Sequence, residues 1–177
     1  MSTRTEPMPA LLVASVIYRS ENRFDEGAGR LAEVWGPPSR VSDPFPFDRT
    51  GYYRREMGEP LHRRFFVGST PVGRDALPEI KRSAEIVERE FSEEGRRTLN
   101  IDPGILTEEN FVLATGKNYS HRVYLREGVY ADLTLLYRGG RYVGLPWTYP
   151  DYAGEEIRRF LGEIREEFRR TRTPQPG

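Results

Sequence analysis

The sequence predicts a single α+β domain, built as a largely antiparallel sheet with amphipathic helices packed on one face. Two observations predict it. Strand-like and helix-like stretches follow one another as β-α-β-β-α-β, a short α, then β-β-β-α. The 177 residues are 37% hydrophobic and 12% aromatic, with no internal repeat or low-complexity linker, which suits one core. The first two β-α-β units fit a split core of ferredoxin-like type, extended by a C-terminal β-meander and helix. Residues 1–170 are expected to form this domain and 171–177 a flexible tail.

The elements follow in order. Ala10 to Tyr18 is the longest apolar run. It falls well short of the ~20 residues of a membrane span. Glu6, Pro7 and Pro9 spoil a signal-peptide reading, so Leu11 to Ile17 is expected as a buried first strand in a cytoplasmic protein. Phe24, Ala28, Leu31 and Trp35 recur at helical spacing after Ser20 or Asn22 as cap, and Gly36-Pro37-Pro38 stops that helix. Val41 and Phe45-Pro46-Phe47 read as extended edge segments, where proline is tolerated. Asp48 to Gly58 reads as a loop or short helix, and His62 to Gly68 as the next strand.

Leu77, Ile80, Ala84, Val87 and Phe91 form the clearest helical stripe, with Pro78 in the first turn and Gly95 at the end. Arg97 to Ile101 is expected as a short strand ending in an Asp102-Pro103-Gly104 turn, followed by a short helix from Thr107. His121–Arg126, Val129–Tyr137 and Arg141–Leu145 then form the meander around Glu127-Gly128 and Gly139-Gly140. Ile157, Phe160, Leu161, Ile164 and Phe168 mark the last helix.

Composition narrows the chemistry. Lys plus Arg and Asp plus Glu are 27 each, so a basic nucleic-acid coat is ruled out and nucleic acid is disfavoured as a partner. All the basic residues except Lys81 and Lys117 are arginine. The chain has no cysteine, which excludes disulfides, Cys-ligated zinc, iron–sulfur clusters and a thiol nucleophile. With only His62 and His121, a multi-histidine zinc site is also excluded, while a carboxylate-rich site for a divalent metal stays open. Neither a phosphate loop nor a dinucleotide fingerprint occurs.

If both glycine turns of the meander have two residues, Arg126 pairs Val129, Val123 pairs Asp132 and His121 pairs Thr134. On the other side, Arg138 pairs Arg141, Thr134 pairs Leu145 and Asp132 pairs Trp147. Period-two alternation then gathers His121, Asp132 and Thr134 on one face beside Trp147. A carboxylate beside an imidazole fixes its tautomer and makes an acid or base. The same pair also serves as a structural hydrogen bond in a half-buried sheet. A one-residue bulge at either turn would break this register. Among the scarce aspartates, Asp48, Asp102 and Asp151 stand beside prolines and aromatics; each alone reads as a turn former, and together they would make a cation or acid/base site.

Four stretches are distinctive: Phe45-Pro46-Phe47-Asp48 with Thr50, Tyr52-Tyr53 and Glu56-Met57-Gly58; Asn100-Ile101-Asp102-Pro103-Gly104 with Leu106-Thr107; Lys117 with Ser120-His121-Arg122-Val123-Tyr124-Leu125; and Leu145-Pro146-Trp147-Thr148-Tyr149-Pro150-Asp151-Tyr152. In this order they resemble the prokaryotic domain-of-unknown-function family DUF4416, from about Pro9 to Phe168. The resemblance implies a single domain of this length and no established activity; some members carry a GTP-binding label, for which this sequence offers no phosphate loop.

The residues favour a pocket near the meander for a small anionic or phosphate-bearing ligand. Lys117 and Arg122, with Arg54 or Arg55, would hold the anion; His121 and Asp132 would act as acid or base. Trp147 and Tyr149 would stack on the ligand, and Asp48, Asp102 and Asp151 would contact it or a divalent cation. Two alternatives remain. Tyr52-Tyr53-Arg54-Arg55 and Arg63-Arg64 suit single-stranded RNA, and the aromatic loop Pro146 to Tyr152 suits a protein interface.

Overall fold

The computed structural model describes residues 3–48 and 51–172. Its elements are β1 (Ala10–Tyr18), α1 (Glu21–Trp35), β2 (Pro38–Val41), β3 (Phe45–Pro46), α2 (Arg54–Met57), β4 (His62–Val72), α3 (Leu77–Glu90), β5 (Ser92–Glu93), β6 (Arg96–Arg97), β7 (Leu99–Leu106), β8 (Asn110–Thr115), β9 (Arg122–Arg126), β10 (Val129–Arg138), β11 (Arg141–Gly144) and α4 (Glu155–Arg172). The main sheet runs β11-β10-β8-β7-β1-β4-β2, with β3 added on β4 and β9 on β10. All its pairings are antiparallel. The α+β architecture is therefore as the sequence predicts.

Within it, β7-β1-β4-β2 with α1 and α3 as crossovers is the split β-α-β arrangement expected of the first two units. Phe24 and Leu31 of α1 and Ala84 and Val87 of α3 pack on Ala14, Val16 and Tyr18 of β1, so both helices cover one face. The expectation of helices on one face fails for α4. Its Ile157, Phe160, Leu161, Ile164 and Phe168 pack on Leu11 and Val13, the alternate residues of β1, and on Phe111, Leu113 and Leu135 of the meander half. The cause is legible in β1, which is buried along its whole length. A strand apolar on both alternating sets of residues, with Ser15 its only polar side chain, must be covered on both faces.

A second correction concerns residues 99–115. Asp102-Pro103-Gly104 is not a turn; β7 runs straight through it, pairing Ser15 with Asp102, Ala14 with Pro103 and Val13 with Gly104. No helix starts at Thr107. A turn closed by the Thr107 hydroxyl, which accepts the N–H groups of Glu109 and Asn110, leads into β8. Proline is tolerated because β8 pairs β7 only from Gly104 onward, leaving one side of β7 open at Pro103. Gly104 serves a close approach: a Cβ there would lie 2.7 Å from the Val112 carbonyl oxygen and 3.0 Å from the Phe111 ring.

The open side of β7 is capped from α3. Glu88 Oε1 accepts the Ile101 N–H at 2.6 Å, and Lys81 Nζ donates to the Ile101 carbonyl at 3.5 Å. Burial pushes the Glu88 carboxyl up to about 7. Below α3, β5 and β6 form a separate small hairpin rather than a plain helix end at Gly95. At the C-terminus, α4 continues through Thr171 and Arg172 into what was expected as tail; 173–177 lie outside the described residues.

Candidate functional site

The meander begins as its turns dictate. Glu127 and Gly128 both have positive φ (54° and 77°), as do Gly139 and Gly140 (57° and 79°), the backbone of tight two-residue hairpins. Val129 accordingly pairs Arg126, and Arg138 pairs Arg141. The register then slips by one on the β9 side: Tyr130 pairs Tyr124 and Asp132 pairs Arg122. Leu125 is the extra residue of this bulge, so the expected pairings of Val123 with Asp132 and His121 with Thr134 are not formed. A second bulge falls between Leu133 and Leu135 on the β8 side.

β9 and β11 share one edge of β10, end to end, rather than flanking it. β9 pairs residues 129–132 and β11 pairs residues 135–138. The gap between them is filled by the loop after β11, so the expected pairing of Asp132 with Trp147 is replaced. Trp147 Nε1 donates to the Leu133 carbonyl at 2.8 Å and the Thr148 hydroxyl donates to the Thr134 carbonyl at 2.6 Å. The loop thus satisfies strand carbonyls that neither hairpin reaches, and this sets the indole beside the start of β9.

There the expected cluster assembles by another route. The His121 ring lies 5.1 Å from the Trp147 ring at 13°, a stacked pair, and 5.3 Å from Tyr119. His121 Nε2 is 3.4 Å from Asp132 Oδ2 and is buried with no hydrogen bond among the described residues. Asp132 is 3% exposed and accepts the Arg122 Nε–H at 2.9 Å. The Thr134 hydroxyl approaches its other oxygen at 3.3 Å. Arg122 is fully engaged: Nη1 donates to the Lys117 carbonyl and Nη2 to the Tyr149 hydroxyl, at 3.0 and 2.7 Å. It braces the loops around Asp132. Lys117 makes its bond to a phenol instead, Nζ to Tyr52 OH at 2.9 Å. That ammonium holds the Tyr52 hydroxyl below the usual phenol range.

From Tyr52 the contacts continue round. Tyr52 packs on Tyr53, and Tyr53 on Phe47. Phe47 lies under the Arg63 guanidinium, which pairs with Asp151 at 3% exposure. Asp151 is two residues from Tyr149, and so back to Arg122 and Lys117. The first, third and fourth distinctive stretches therefore meet in one ring on the α4 side of the sheet. Inside that ring, on the strand face that β1 and β7 present, lie Ser15 and Asp102, paired across the two strands. Asn100 Nδ2 donates to Asp102 Oδ2 at 2.8 Å and takes Arg97 Nη1 on its own Oδ1. Arg97 in turn holds Glu56 through two nitrogens and keeps its carboxyl below the ordinary range. Burial, then the Asp102 charge, pushes the Tyr53 hydroxyl up.

His121, Asp132, Lys117, Arg122, Trp147 and Tyr149 are thus brought together, with Asp151 and Asp102 in the adjoining part of the ring. Asp48 is not: it is exposed and borders a different open hollow of about 520 Å³ with Phe47, Glu59, Pro60 and His62. Nor do Asp48, Asp102 and Asp151 make the cation set that the sequence allowed. Among the described residues no three His, Asp or Glu groups converge to hold a metal. Asp151 is spent on Arg63 and Asp102 on Asn100. Arg54 is paired with Glu59 rather than aimed at the cluster. A larger open hollow of about 850 Å³ lies between α4 and the β10–β11 hairpin, lined by arginines and glutamates in balance and by none of these residues.

Sequence reasoning missed Tyr119 as part of the ring and gave Tyr52 and Arg63 a role only as RNA contacts. Their signal was proximity to the distinctive stretches; nothing in local pattern says that residues 52 and 117 touch.

Compared with known protein families, residues 8–168 match the family described as Domain of unknown function (DUF4416). No curated protein and no solved structure matches the chain. The match covers all four distinctive stretches, and the chain belongs to the DUF4416 family.

Proposed function

We propose that the chain binds a small anionic or phosphate-bearing ligand with a planar group, at the ring centred on His121, Lys117 and Trp147. One observation carries this. The large aromatics left exposed among the described residues are Tyr52, Tyr119, Tyr124, Trp147 and Tyr149, and all but Tyr124 belong to this patch. Exposed aromatic surface concentrated at one place favours a stacking partner. Within the patch, the Arg122 and Arg63 charges are balanced by Asp132 and Asp151, so among the described residues Lys117 supplies the uncompensated cation. His121, packed between Tyr119 and Trp147 against Asp132, is placed to bond an anion or to move a proton to or from it. The reading places the protein in the cytoplasm, where phosphorylated metabolites are.

The test is thermal unfolding in the presence of inorganic phosphate, sugar phosphates and nucleoside monophosphates, each with and without Mg²⁺. A planar phosphorylated compound at saturation is expected to raise Tm by about 5 °C, and Lys117→Ala to abolish the rise while keeping the unliganded Tm. No rise with any of these compounds overturns the reading.

A further inference from the structure

We infer that β9 is a self-pairing edge, through which two copies of this chain associate by antiparallel strand addition about Tyr124. The sheet's other edges are blunted in recognisable ways. β2 begins with Pro38, and its Arg40 is held by Glu163 and Glu167 of α4. β3 contains Pro46. β11 is met by α4, whose Arg158 donates to the Tyr142 carbonyl. Proline, charge and a covering helix are the usual devices that stop one sheet from extending another.

β9 has no proline and no covering helix; its charges, Arg122 and Arg126, stand only at its two ends, and its one irregularity is the bulge at Leu125. Among the described residues its outer side has no strand neighbour, and its three central residues are apolar and open: Val123 is 67% exposed, Tyr124 58% and Leu125 37%. Elsewhere exposed apolar side chains are scattered; here three are consecutive on an unpaired backbone.

Charge selects the occupant. The arginines at the two ends of β9 are already neutralised within the chain, Arg122 by Asp132 and Arg126 by Glu79 at 2.6 Å. The edge therefore offers no free cation to an acidic peptide and suits a strand that is apolar in the middle and internally neutral at its ends. β9 is itself such a strand. Pairing two copies with Tyr124 on the two-fold axis sets Tyr124 against Tyr124 and brings Val123 of each toward Leu125, the bulge residue, of the other. The facing arginines bring their own carboxylates, and Glu127 of one copy points toward the His121 end of the other. Centring the pair on Val123 or Leu125 instead would set an arginine against Tyr124 and lose the Val–Leu matches. A five-residue ladder alone buries little surface, so the association is expected to be weak and concentration-dependent.

The absence of cysteine makes the register directly readable. Val123→Cys, Tyr124→Cys and Leu125→Cys are made singly in the full chain and oxidised. Only residue 124 lies opposite itself, within the Cα separation a disulfide needs, so Tyr124→Cys is expected to form dimer at least about ten times faster than the other two. In parallel, sedimentation equilibrium of the unmodified chain is expected to show a mass rising toward two copies with concentration, and Tyr124→Lys to stay monomeric with unchanged Tm. A chain monomeric at every concentration, equal cross-linking at all three positions, or a dimer that survives Tyr124→Lys each overturns the inference. None of these outcomes bears on ligand binding, which is read on the unoxidised chain.

Discussion

Glu88 shows how one side chain can tie stability to pH. Its carboxyl caps the open side of β7, and burial raises it from the usual 4.5 to about 7, with the Lys81 ammonium pulling the other way. An acid whose folded-state value lies above its unfolded value binds the proton more tightly when folded. Its contribution is fully present below about pH 4.5 and is lost as pH rises to about 7. The loss approaches about 3 kcal/mol. Glu88→Gln keeps an acceptor for the Ile101 N–H and removes the charge. Urea unfolding should find the variant more stable than the parent at pH 8, with the gap closing at pH 5; an unchanged gap between the two pH values would refute the assignment. Nothing in the sequence marks Glu88, because its burial depends on where β8 leaves β7. His121 and Asp132, by contrast, were legible as a pair, though through a register that does not form.

At the scale of elements, the loop after β11 acts as a wedge. Thr148 accepts the Leu145 N–H at 2.7 Å and donates to the Thr134 carbonyl, so its hydroxyl closes the loop and anchors it to β10. Thr148→Val removes both bonds and is expected to cost about 2 kcal/mol in urea unfolding. It should also loosen the Trp147–His121 stack, read as a shifted Trp147 indole N–H resonance. Gly104→Ala drives a methyl into the Val112 carbonyl and the Phe111 ring, and should cost about 1–3 kcal/mol. The three long helices, the first strand and both hairpin turns were readable because each rests on local periodicity or turn chemistry, whereas the helix expected from Thr107 does not form. The bulge at Leu125 was not, since one extra residue leaves the alternation of β9 looking normal. Asp102-Pro103-Gly104 misled for a related reason: proline and glycine mark a turn, but they equally mark an unpaired strand side and a close backbone approach.

For the whole molecule, the decisive feature is that the apolar strand β1 is covered on both faces, by α1 and α3 on one and α4 on the other. The α4 face is apolar along Leu11 and Val13 and turns polar at Ser15 and Asp102. Loops from three distant parts of the chain close over that polar end, and their aromatics remain in the open. No residue pattern within any one loop could show this convergence; it follows from the sheet order. The two tryptophans offer the most direct probe, since Trp35 is bonded to Ser83 on the opposite face while Trp147 stands in the ring. Titration of nitrogen-15-labelled protein with nucleoside monophosphates is expected to move the Trp147 indole and His121 resonances together and leave Trp35 in place. Lys117→Ala should weaken the response at least tenfold, about 1.4 kcal/mol. Unmoved Trp147 and His121 signals at saturating concentrations of every planar phosphate tried would contradict a ligand site in the ring.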